Sequence, residues 1–149
     1  MLAPELGIIL IDMASFAHSE IAVTIPSRLL ITRDSVHAGD DCEAPHARWI
    51  NLQEIETLEA ALRLLLHNGY LPSIAGGCAT WIVRGPQALA VIAQQWQEPR
   101  FLVNAQSTLV NLEELRFVYL CQVDPELVFD CLLTGAELPD KYSGFKTSK

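Results

Sequence analysis

Between Asn51 and Gly69 the apolar residues recur at helical spacing, and this stretch limits what the rest of the chain can do. At 100° per residue, Ile55, Leu58, Leu62, Leu65 and Leu66 fall within an arc of about 100°, a stripe wide enough to need a covering layer. Gln53, Glu56, Glu59, Arg63 and His67 fall on the other side, with Glu59 and Arg63 four apart in the stabilising order. Asn51-Leu-Gln-Glu54 has the form of a capping box, so the helix is expected to open at Asn51. His67 near the negative end and Asn68-Gly69 as a left-handed stop place its close. A helix with one broad apolar stripe has to lie on a sheet or on other helices.

The flanking segments supply a sheet. Residues 7–13 form an apolar run rich in isoleucine and read as a buried strand. Ile21 to Ile25 alternates in period two, Pro26-Ser27 breaks it, and Leu29 to Arg33 resumes, which predicts a hairpin. Asp34 to Arg48 has no periodicity and contains Gly39 and Pro45, and it reads as a long loop. The later half of Ser73 to Arg84 has strand character. Gly85-Pro86 then opens an expected second helix, whose stripe is Ala88, Leu89, Ile92, Ala93 and Trp96 and whose stop is Pro99. Phe101 to Val103 and Arg116 to Val123 read as strands, Leu109 to Leu115 as either element. Asp124-Pro125-Glu126 opens a last helix that Gly135 closes, with Leu127, Val128, Cys131 and Leu132 as its stripe. Together these predict a single compact α+β domain over residues 1–140. It has a mixed, mainly antiparallel sheet with about three helices packed on it, followed by a flexible polar tail at 141–149.

Composition agrees with a folded core, since half of the residues are hydrophobic and only 19% are charged. The longest apolar runs are far too short to span a bilayer, so no membrane association is expected. Residues 1–10 carry Glu5 and no basic residue, which does not fit a secretory leader. The four cysteines form no Cys-x-x-Cys pair, Cys121 and Cys131 fall on apolar positions, and free thiols point to the cytoplasm.

Charge is the most uneven property of the chain. The formal net charge is −8, yet all three lysines fall in the last nine residues, and without them 18 acids face seven arginines, a balance of −11. Such an excess disfavours direct binding of duplex nucleic acid, whose phosphates need cations. Asp40, Asp41, Glu43, Glu54, Glu56 and Glu59 share their stretch with one cation, Arg48. A second cluster, from Glu113 to Asp130, contains only Arg116. Asp40, Asp41, Glu43, Glu56 and Glu59 are the candidate partner-binding residues, an anionic surface that steers a basic protein.

Two constellations have chemical content. His37, Asp40, Asp41 and His46 lie in one loop together with Cys42 and Glu43, residue types that ligate zinc or a transition ion. Their spacing matches no zinc signature and no calcium loop. Cys78 follows Gly76-Gly77, where a thiol beside backbone N–H donors is a candidate reactive nucleophile with His18, His37, His46 or His67 as base. The loop lacks a following Lys-Ser/Thr and precedes a strand, which excludes a phosphate loop. Trp49, Trp81 and Trp96 sit at element edges as core anchors, any exposed one being an interface hot spot. The expected function is therefore a small acidic cytosolic binding protein, a non-catalytic inhibitor or immunity-type module that engages a basic partner and needs no cofactor. The analogy is one of charge and size. The alternative is a small metal-dependent enzyme using a divalent ion in the His37 to His46 loop. A thiol enzyme or redox sensor built on Cys78 is a third reading.

Overall fold

In the computed structural model, which describes residues 27–145, the strands are β1 (Arg28–Arg33), β2 (Arg48–Asn51), β3 (Thr80–Arg84), β4 (Ala88–Ala93), β5 (Arg100–Phe101) and β6 (Glu114–Leu120). The α-helices are α1 (Leu58–His67) and α2 (Pro125–Thr134), and 3-10 turns cover Ala38–Glu43 and Ser143–Phe145. The strand expected at residues 7–13 and the first arm of the expected hairpin, Ile21 to Ile25, lie outside the described residues.

One mixed sheet has the order β2-β1-β6-β3-β4-β5. β1 and β6 run parallel, and every other neighbouring pair is antiparallel. This is an α+β domain with a mainly antiparallel sheet. α1 covers one face, where Leu58, Ala61, Leu62 and Leu65 pack with Leu29, Ile31, Trp81, Val83, Leu115 and Phe117. On the other face, α2 packs Val128 with Ile82, Val91, Leu120 and Val123. Fully burying each large aliphatic side chain stabilises the fold by about 1.5–3 kcal/mol, so the two clusters hold the sheet from both sides. On that second face, Leu30 of β1 stands opposite Trp49 of β2. Trp49 is 56% exposed there.

Leu58, Leu62 and Leu65 of the expected stripe are buried on α1, whereas Leu66 is half-buried and Ile55 precedes the helix, which starts later than the capping box implies. Asn51 pairs with Arg28 at the end of β2. Its side chain accepts the Gln53 N–H at 2.9 Å, closing a turn instead of a helix. Thr57 is the real N-cap, accepting the Ala60 N–H at 3.2 Å. At the other end, Gly69 at φ 68 allows the Tyr70 N–H to reach the Leu65 carbonyl at 3.0 Å, the left-handed stop that Asn68-Gly69 announces. Thus the strand took Asn51 before the helix could.

The larger correction concerns residues 86–96, expected as a helix. Gly85 to Gln87 is the turn of a hairpin, and Ala88–Ala93 is a strand paired with β3, with a bulge at Val83/Arg84. β4 is covered on both faces, Ala90 and Ile92 by the first cluster and Val91 by the second. A strand buried on both faces shows no period of two, and its alanines mimic a helix. The expected stripe on α2 also narrows, since Val128 and Cys131 are buried while Leu127 is 48% exposed. Its Asp124 cap, accepting the Glu126 N–H at 3.0 Å, and its Gly135 stop are as expected.

Past α2, the chain stays on the domain. The Lys141 carbonyl accepts the Cys121 N–H at 2.8 Å, and Gly144 lies so close to Gln122 that a Cβ there would meet the Gln122 oxygen at 2.2 Å. No described helix is long and apolar enough to cross a membrane.

Candidate functional site

The chain leaves β1 at Arg33 and returns as β2 at Arg48, and everything between hangs on two inward side chains. The Arg33 N–H donates to the Pro45 carbonyl at 3.0 Å. Its guanidinium donates to both oxygens of Asp40, Nη1 at 2.6 Å and Nη2 at 3.0 Å. The Val36 N–H adds a third donor to Asp40 at 3.1 Å. The Arg33 and Asp40 side chains are 9% and 16% exposed, so this is a nearly buried, bidentate pair. The Arg33 hydrogen bonds, with help from the Val36 N–H, hold the Asp40 carboxyl well below the usual carboxylate range, at about 2, against the opposing effect of burial. His46 is buried behind it, with Nε2 at 3.6 Å from Asp40 Oδ2 and 3.1 Å from Ser35 Oγ. Tyr70 Oη donates to the His46 carbonyl at 2.8 Å and so ties the end of α1 to this loop. Burial pushes the Tyr70 hydroxyl up to about 12, which keeps it protonated as that donor.

The metal candidates do not converge. His37 is exposed, and its Nδ1 caps the turn by accepting the Asp40 N–H at 3.2 Å. Asp41 is exposed as well, and its carbonyl accepts the Ala44 N–H at 3.2 Å. Only Asp40 and His46 come together, and Asp40 already belongs to Arg33. Among the described residues no group of three or more His, Cys, Asp or Glu side chains has an arrangement that holds a metal ion. Ser35, His46 and Asp40 also fail as a triad, because hydroxyl and carboxylate approach the same imidazole nitrogen. Of the loop's ligand-type side chains, Asp40 serves Arg33 of the strand before it and the Val36 N–H, and His37 serves the loop's own backbone.

Cys78 has a similarly local environment. Its thiol donates to the Gly76 carbonyl at 3.3 Å, and none of the described histidines is a hydrogen-bond partner. His18 lies outside the described residues. Gly76 and Gly77 adopt φ 91 and 71, so the pair is explained by a left-handed turn. Gln94 pins that turn through Oε1, which accepts the Ile74 N–H at 3.1 Å and the Ala79 N–H at 3.4 Å. Cys121 and Cys131 are buried, as their apolar positions imply, whereas Cys42 is exposed.

The acidic residues expected to form one surface are divided between two ends of the sheet. Asp41 and Glu43 sit on the turn between β1 and β2, beside the start of β2. Glu54 and Glu56 follow the end of β2, where β1 begins, because Arg28 is opposite Asn51. Glu113 precedes β6, which runs parallel to β1, and so joins that second end. α1 then leads back toward His46, a helix length of about 15 Å. Glu59, in its first turn, is bound by Arg63 at 2.7 Å and by Gln106, and the Arg63 hydrogen bond lowers its pKa. Asp41, Glu43, Glu54, Glu56 and Glu113 are all exposed. None of these five carboxylates has a side-chain hydrogen bond or ion pair among the described residues.

The residues that organise the site are cations and a tyrosine that no motif flags. Arg33 orders the loop, while Arg48 stacks 5.0 Å from the Tyr70 ring and Arg28 stacks 5.0 Å from the Trp49 ring. Their signal in the sequence is rarity, since each cation in so acidic a body stands out. No family model, curated protein or solved structure matches the chain.

Proposed function

We propose that the domain is a non-catalytic binding module that presents free carboxylates to a basic protein, in the manner of an inhibitor or immunity-type protein. The observation that carries this reading is the set of exposed, unpaired acids, above all Glu54, Glu56 and Glu113 at the end of the sheet where β1 and β6 begin. Unneutralised charge raises encounter rates with an oppositely charged surface and fixes orientation. Of the residues first assigned to the surface, Asp41, Glu43 and Glu56 fit this role, whereas Asp40 and Glu59 are held by Arg33 and Arg63. Four free thiols support a reducing, cytoplasmic setting.

The test begins with a partner captured on the tagged domain, identified and then purified. Association is measured in low and in physiological salt, for the native chain and for the Glu54→Gln, Glu56→Gln, Glu113→Gln triple variant. The expected partner is basic, and both salt and the triple variant slow association several-fold. An acidic partner, or association indifferent to both changes, would overturn the proposal.

A further inference from the structure

β6 outlasts the strand beside it, and a later part of the chain takes over where β1 stops. The two strands run parallel with Arg33 beside Phe117, and the Asp34 N–H donates to the Phe117 carbonyl at 3.0 Å. In a parallel ladder the next bond would join the Tyr119 N–H to the main-chain carbonyl of Asp34, and the Cys121 N–H would follow two residues on. That carbonyl instead accepts from the Arg33 guanidinium at 3.0 Å. The Asp34 side chain fills the first position, its Oδ2 accepting the Tyr119 N–H at 3.0 Å. The Lys141 carbonyl fills the second, accepting the Cys121 N–H at 2.8 Å.

What holds residues 140–145 in this place is polar. Lys141 is fastened twice, by its main chain to Cys121 and by its ammonium, which lies 3.4 Å from the same Asp34 Oδ2. Arg116 shares that carboxylate, with Nη2 at 3.4 Å from Oδ1. The Tyr119 and Tyr142 rings each lie 5.9 Å from the ammonium. Within the segment, the Asp140 side chain accepts the Tyr142 N–H at 3.0 Å and the Asp140 carbonyl accepts the Ser143 N–H at 2.9 Å, so it keeps a shape of its own. Gly144 sits against the bend at Gln122, whose φ is 53. No residue from Asp140 to Gly144 belongs to either apolar cluster of the sheet, and Tyr142 is exposed. A segment with few buried apolar contacts opens at a lower free energy than the core does. The Lys141 side chain is 36% exposed, so salt screens its attraction to Asp34.

We propose that residues 140–145 are a releasable strap, closed in this structure by the Lys141 charge and opened by local detachment while the sheet, α1 and α2 stay folded. Closed, the strap completes the edge of β6 that β1 leaves short. Open, it frees the Cys121 N–H and withdraws Lys141 and Tyr142 from the wall of a groove of about 580 Å³ that Thr32, Asp34, Glu114 and Arg116 also line. Neutralising or screening one ammonium therefore widens the groove and bares a main-chain donor without unfolding the domain.

The experiment is amide hydrogen exchange of the full chain, followed by NMR under native conditions, with Ile82 of β3 as the core reference. β3 is paired on both sides, so the Ile82 amide reports global unfolding. Cys121 exchange is expected to be indifferent to low urea, whereas Ile82 exchange rises steeply with it. Lys141→Gln is expected to speed Cys121 exchange about two- to fivefold, the range of a partly exposed ion pair, and to leave Ile82 unchanged. Raising the salt to about 1 M, where the Debye length is about 3 Å, is expected to do the same to the native chain and little to the variant. Lys141→Arg, which keeps the charge, is expected to exchange as the native chain does. Cys121 exchange that follows urea as steeply as Ile82 exchange would overturn the proposal, since strap and core would then open together. A Cys121 rate that neither Lys141→Gln nor salt changes would overturn it as well, since the charge would then hold nothing.

Discussion

Replacing Asp40 by asparagine tests the central claim about the loop, that its carboxylate exists to hold Arg33. Asparagine mimics the protonated acid: it keeps the shape, removes the charge and turns an NH2 group toward a guanidinium that has only donors. The carboxyl of Asp40 takes up its proton at about 2 in the fold against 3.8 in the unfolded chain. That difference is equivalent to about 2 kcal/mol of stability at pH 7. Because the folded value is the depressed one, the contribution is complete above pH 3.8 and disappears as pH falls through 2. About half of it should therefore remain at pH 3. Arg33 Nε is already buried without a hydrogen-bond partner, so losing the carboxylate leaves the guanidinium still less satisfied. The assay is urea unfolding by tryptophan fluorescence at pH 7, 4 and 3, for the native chain and for Asp40→Asn. The gap between the two curves should be full at pH 7 and 4 and halved at pH 3. A gap below about 0.5 kcal/mol at pH 7, typical of an exposed pair, would refute the reasoning. So would a gap that does not change with pH.

Asp124→Ala removes the α2 N-cap and Gly135→Ala forces a side chain into φ 72, and each should lower stability by about 1 kcal/mol in the same urea assay. Gly144→Ala places a Cβ against the Gln122 carbonyl, so the 3-10 turn at Ser143–Phe145 should detach and the Cys121 amide should exchange faster; unchanged protection would contradict the close approach. Alkylation followed by mass spectrometry should modify Cys42 first and Cys78 next, with Cys121 and Cys131 reacting only on unfolding. Labelling of Cys78 ahead of the exposed Cys42 would instead restore the nucleophile reading.

What the sequence made legible was local. The core of the α1 stripe, the Asn68-Gly69 stop and the cap and stop of α2 follow from spacing and capping chemistry within one element, and the structure keeps them. Where two elements competed for one residue, local rules had no means to choose. Asn51 is an excellent cap and also an acceptable end of a strand, and pairing with Arg28 decides between them. Ala88–Ala93 fails for a related reason: its apolar character comes from burial on both faces, and an amphipathic period exists only when one face meets water. The open face around Trp49 was equally out of reach, since it depends on where α1 and α2 come to rest.

The loop between β1 and β2 shows why a concentration of ligand-type residues is a poor guide to a ligand site. An irregular segment contains backbone N–H groups with no ladder to join, and Asp, His and Ser are the side chains that satisfy them. The same residues would fill a metal site, so composition cannot separate the two uses. The separating feature is a cation within reach: Arg33, seven residues before Asp40, neutralises the carboxylate a metal would need. Applied to the whole chain, that criterion makes the minority charge the informative one. Arg33, Arg63, Arg100 and Arg116 mark acids already taken up inside the domain, whereas Arg28, Arg48 and Arg84 have no carboxylate partner among the described residues. The surplus of carboxylates bears only on the sign of charge that a partner would carry.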